Sequence, residues 1–225
     1  MQRRDLSFGL VAALTLAWAT RGRAAGLTES DAAGGVRAAL DRGATAAVAQ
    51  LGRPDGFLGN PKVRIALPGF LESGAKLLRM SGQGGKLDEL VTAMNRAAES
   101  AVPQAAPLLR NAVKSMSVED ALRIVRGGDT AVTDFFAGKT REPLSVQFLP
   151  IVTRATERAS LASKYNAVAG KASGFGLVKR EDANLEHYVT GKALDGLYTL
   201  IGEEERKIRR DPVGTGSALL KRVFG

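Results

Sequence analysis

The sequence predicts an all-α fold, a single multi-helix domain behind an N-terminal leader, and three observations carry that prediction. Apolar residues recur at helical spacing along most of the chain from residue 29 onward. Capping residues and acids stand before these stretches, and glycine or proline stands after them. Strand candidates are few, and no period of 20–50 residues repeats. Counting the patterned segments gives about seven to nine helices. Their alanine-rich stripes, with only 5% aromatic residues, imply close helix packing around small and aliphatic side chains.

The leader comes first. Arg3 and Arg4 precede Leu6–Thr20, fifteen residues without a charge. At ~1.5 Å per residue these make about 22 Å of helix, short of the ~30 Å hydrocarbon core of a bilayer. A signal-peptide apolar region fits better than a spanning anchor. Gly22-Arg23-Ala24 favours cleavage after Ala24, with Ala17-Trp18-Ala19 the second choice. The Arg3-Arg4 pair, with Arg21 and Arg23 behind the apolar stretch, resembles a twin-arginine signal, and both that and the general export route stay open. Residues 1–24 are thus expected to leave a helical domain over 25–225, with no transmembrane span in the mature chain. A periplasmic address follows.

Each helix has its own signals. Thr28-Glu29-Ser30-Asp31 opens the first, whose Val36, Leu40, Ala44, Ala47 and Leu51 lead to Gly52. Residues 52–68, with three prolines and three glycines, predict a long ordered loop containing a short extended piece near Val63-Arg64-Ile65. A second helix is expected from Pro68 to Ser81, and a third from Lys86, striped by Leu87, Leu90, Met94, Ala98 and Ala101. Pro103 and Pro107 interrupt before Leu108–Met116. Ser117-Val118-Glu119-Asp120 starts another helix and Gly127-Gly128 stops it. Asp129–Gly138 reads as one short helix, and Thr140 as the start of the next, kinked at Pro150. Helices over 160–173 and Asn184–Arg210 follow, the latter with Glu203–Lys207 and Glu205–Arg209 pairs. The acids at 203–205 read as a solvated face. A short amphipathic piece at Ser217–Phe224 ends the chain.

Composition removes several classes of chemistry. With no cysteine there is no disulfide, thiolate metal site or cysteine nucleophile. The leader carries four arginines and Asp5, so its removal lowers the formal charge from +9 to +6. The rest alternates in sign without the aromatic-studded basic face that nucleic acid requires, so no nucleic-acid partner is expected. Ser73-Gly74-Ala75-Lys76 matches S-x-x-K but lacks the companion S-D-N and K-T-G motifs. His187, the only histidine, cannot form a multi-histidine metal site. Gly82-Gln83-Gly84-Gly85-Lys86 is not a phosphate loop, because no strand leads into it. No metal or cofactor is expected.

Five segments in order, LGRPDGFLGNPKVRIALP (51–68), MNRAAE (94–99), YNAVAG (165–170), YVTGKALDGLY (188–198) and IRRDPVGTGSALLKRVFG (208–225), closely resemble the bacterial domain-of-unknown-function family 4197, DUF4197. The resemblance covers nearly all of the chain from Gly26. It implies exported, mostly helical proteins and supplies no catalytic residue. Within its segments Asp55, Asn60, Arg64, Asn95, Arg96, Tyr165, Asn166 and Asp195 are the candidate binding residues, equally suited to structural duty. The expected role is a non-enzymatic envelope protein that binds a partner protein or a lipid-like ligand. The alternative is an enzyme of unrecognised type using Asp, Glu, Arg or Tyr in a polar cleft.

Overall fold

In the computed structural model, which describes residues 29–157, 159, 161–176, 179 and 182–211, the helix signals become eight α-helices and no strand. They are α1 (Glu29–Leu51), α2 (Glu72–Met80), α3 (Gly84–Ala101), α4 (Ala105–Lys114), α5 (Val118–Arg126), α6 (Ala131–Thr156), α7 (Ala162–Gly174) and α8 (Leu185–Arg210). The leader, Thr28 and the Ser217–Phe224 piece lie outside the described residues.

Local chemistry explains most boundaries. Ser117 and Asp120 form a reciprocal capping box at the start of α5. Asn184 caps α8 by accepting from the His187 N–H. Gly82, at φ +78°, ends α2. There the Gln83 N–H reaches the Leu78 carbonyl and the Gly82 N–H reaches that of Arg79, the paired bonds of a Schellman cap. Gly84 and Gly85 already belong to α3, so the glycine turn is shorter than expected. Pro103 sits in a 3-10 turn at Val102–Gln104, and Pro107 in the first turn of α4, where its missing N–H costs nothing.

One boundary is corrected. The two helices expected over 129–156 are a single helix, α6, passing through Gly138, Pro143 and Pro150. Thr140 does not cap; its hydroxyl donates to the Phe136 carbonyl one turn back and meets the Tyr198 hydroxyl at 2.9 Å. Both prolines lie on the exposed side. The buried residues are Val132, Phe136, Thr140, Leu144, Phe148, Val152 and Thr156, every fourth position from end to end. Burial along this row outweighs the local breakers.

α6 and α8 run antiparallel at the centre, since Val132 meets Glu205, Thr140 meets Tyr198 and Arg141 meets Asp195. α3 packs on both, and α1 packs on α8, α4 and α5. Gly43 of α1 lies against Glu204 and Ile208, whereas the loop after Leu51 lies against Gly196. α1 therefore runs opposite to α8, and Glu29 and Asp211 share one end of the bundle. The other end carries α2, α7 and the start of α8.

The acids of α8 also differ from expectation. Glu205 is buried, accepting from Arg209 at 2.8 Å and from the Val132 N–H, while Arg209 also reaches the Ile124 carbonyl. Burial raises the Glu205 carboxyl above its usual range, and the Arg209 bond opposes this. Glu203 bonds Lys62 of the loop at 2.7 Å, and Lys207 turns to Glu204.

Candidate functional site

The candidate residues divide into three groups. The first belongs to the 52–68 loop, which is ordered and lies against α3 and α8. Asp55 adopts φ 62° at its turn, a left-handed conformation that short polar side chains tolerate. Asn60 folds the next turn, its side chain accepting from the Lys62 N–H and its carbonyl from the Arg64 N–H. Exposed Arg64 donates to the Leu58 carbonyl. Fully buried Asn95 accepts from the Ile65 N–H at 2.9 Å and donates to the Ile65 carbonyl at 2.8 Å. The short extended piece expected at Val63-Arg64-Ile65 is no strand: the Val63 and Arg64 N–H groups turn back to the Asn60 carbonyl, and only Ile65 pairs, with the Asn95 side chain.

Arg96 donates to Glu99 at 2.7 Å and to Asp55 at 2.8 Å. Its guanidinium is held above its ordinary value, by the Glu99 bond first. Glu99, a residue sequence reasoning passed over, accepts from the Phe57 and Leu58 N–H groups with its other oxygen. Phe57 is fully buried against Gly196, where a Cβ would stand 2.6 Å from the ring. The Tyr188 hydroxyl, bonded to the Ala66 carbonyl at 2.9 Å, completes the clamp. These side chains use their polar atoms to hold a loop in place.

Tyr165 and Asn166 form the second group, at the joint between α7 and α8. The Tyr165 hydroxyl donates to the Asp182 carbonyl at 3.3 Å. Asn166 accepts the Leu185 N–H at 2.7 Å and thereby satisfies an orphan donor of the first turn of α8. Burial pushes the Tyr165 phenol up, and pushes Tyr188 up to about 12 with Asp182 adding to it.

Asp195 stands apart, bonded to Arg141 with Lys192 at 3.8 Å. It lines a polar furrow of about 800 Å³ between α6 and α8, together with Glu142, Asp182, His187 and Tyr188. Arg141 lies over the Tyr198 ring at 5.6 Å. Among the described residues, no three His, Asp or Glu side chains gather as a metal site would require.

The concave site with the most coherent lining is one the candidates touch only through Tyr165. It is a groove of about 460 Å³ bounded by α2, α3 and α7. Leu67, Phe70, Leu71, Leu77, Leu78, Leu87, Leu90, Leu161 and Val168 line it, with Gly74 and Ala75 on its wall. Among the described residues, Lys164 is its only charged lining residue. The Tyr165 ring packs edge-on against Phe70 at 6.2 Å, while its hydroxyl turns away to Asp182. A Cβ added at Gly74 would meet nothing within 4 Å, so the wall there faces open space.

A family model described as a protein of unknown function, DUF4197, matches residues 26–225. The chain belongs to DUF4197. No curated protein and no solved structure matches it. Among its described residues, this DUF4197 member has no helix long and apolar enough to cross a membrane.

Proposed function

We propose that this DUF4197 protein is an exported, non-enzymatic binding protein that holds the acyl chain of a single-chain anionic amphiphile in the α2–α3–α7 groove. The groove carries the reading: its volume falls within the ~300–1,000 Å³ of small-molecule sites, and its lining is apolar apart from one cation and one phenol. Burying a chain there removes apolar surface from water at roughly 25 cal/mol per Å². Lys164 at the groove supplies a partner for a carboxylate or phosphate head. Export is supported by the basic, then apolar leader, and by a family match that starts at residue 26, just past the expected cleavage after Ala24.

Native mass spectrometry with palmitate tests the groove. The mature protein is expected to retain one palmitate, and Gly74→Leu to lose it while remaining folded, because leucine fills open space on a helix. That change also raises intrinsic helix propensity by roughly 1 kcal/mol, so a rise in melting temperature should accompany the loss of ligand. Retention of palmitate by Gly74→Leu would end the groove assignment. Export is tested by fusing residues 1–30 to a reporter; a reporter that stays in the cytoplasm refutes it.

A further inference from the structure

We infer that the edge formed by α2 and α7 docks the protein on an anionic lipid bilayer. The inference concerns the outer rim: it shares Leu77, Lys164 and Val168 with the groove lining and adds Lys76, Arg79, Met80, Lys171 and Phe175 beyond it. Along α7, Lys164, Val168, Lys171 and Phe175 follow one another at i, i+4, i+7 and i+11, a single stripe that alternates cation and apolar group. Phe175 is 81% exposed and Val168 50%. Across the groove, α2 presents Leu77 at 67% and Met80 at 78% exposure, with Lys76 and Arg79 beside them. Of the exposed large apolar residues described, only Val146 lies away from this edge.

Such a face is costly in water and matches a membrane interface, where apolar tips enter the headgroup boundary and lysine stems extend to reach phosphates. Charge selects the occupant. The two helices carry four cations and one carboxylate, Glu72, which lines a neighbouring depression together with Arg64, Lys76 and Arg79. Asp88 of α3 is within 3.4 Å of Arg79, whereas Lys76, Lys164 and Lys171 form no ion pair among the described residues. A second copy placed on this edge by twofold symmetry would bring two such cationic faces together.

Flotation with vesicles tests the assignment. The mature protein should float with an equal mixture of phosphatidylcholine and phosphatidylglycerol, stay behind with phosphatidylcholine alone, and be released as salt shortens the ~8 Å screening length. Each cation removed should weaken binding about fivefold. The triple variant Lys76→Gln, Lys171→Gln, Phe175→Ser, altered only at exposed positions, should remain folded and no longer float. With no tryptophan after Trp18, Phe175→Trp provides a single reporter whose emission should shift to the blue on anionic vesicles. Equal binding to both vesicle types, or to neither, overturns the proposal. So does a concentration-dependent dimer that Phe175→Ser dissolves, which would assign the edge to a second copy. Gly74→Leu separates this inference from the palmitate reading, because it should lose the ligand yet still float.

Discussion

Asn95 shows what a single buried amide does in this protein. It satisfies both backbone groups of Ile65 at hydrogen-bond distances below 3 Å, and its amide nitrogen also reaches the Val91 carbonyl within its own helix. Neither Asn95 nor Ile65 is open to water that could replace the lost partner. Each buried group left unpaired costs about 1–3 kcal/mol, so Asn95→Ala should destabilise the protein by roughly 2–5 kcal/mol in urea unfolding. A loss below about 0.5 kcal/mol, typical of an ordinary surface substitution, would show that the clamp is dispensable. Tyr188 and Glu99 bond the same loop from opposite sides, so the loop's position is shared among several bonds of this kind.

At the scale of elements, caps and stripes decide most of the fold. The Ser117–Asp120 box starts α5, and both Ser117 bonds hold the Asp120 carboxyl below its ordinary range, the side-chain bond first. A carboxyl lowered in the folded state contributes stability above its unfolded value of 3.8, and loses it as pH falls through the folded value. Ser117→Ala should therefore cost about 1 kcal/mol at neutral pH, and the gap from the parent should narrow below pH 3.8. Urea midpoints on either side of that pH check it, and a constant gap would refute the linkage.

Helix ends were legible because they depend on neighbours in sequence. The unbroken α6 was not: Gly138, Thr140 and Pro143 look like a stop and a new start, and only packing against α3 and α8 reveals that burial overrides them. The candidate residues were legible as polar positions within the matching segments, not as what they bond. Asp55 and Arg96 are far apart in sequence, and their bond follows from the loop folding back on α3. The apolar groove went unread because its walls come from three helices. A local signal did exist in the Lys-Val-Lys-Phe spacing of α7.

For the whole molecule, the aromatic hydroxyls report on how tightly the helices close. The three tyrosines, at 165, 188 and 198, are all buried and all raised above 10.0, with burial the first cause in each. The folded state thus favours the neutral phenol. This stability is present below pH 10 and lost as pH rises through the folded values. At pH 10 the unfolded chain should show about half its tyrosinate absorbance and the native protein very little. Equal absorbance in the two states would mean that the phenols are open to solvent.

The every-fourth-residue row of α6 limits how the molecule can vary. Four residues overshoot a helical turn by about 40°, so the six intervals from Val132 to Thr156 sweep roughly 240° around the axis. Each stretch of α6 therefore meets a different neighbour, as the thread of a screw meets successive faces of its nut. Inserting or deleting one residue would turn everything beyond it by about 100° and put the wrong side chains against every later partner. Relatives can lengthen their loops, but the length of this helix is set by everything packed around it.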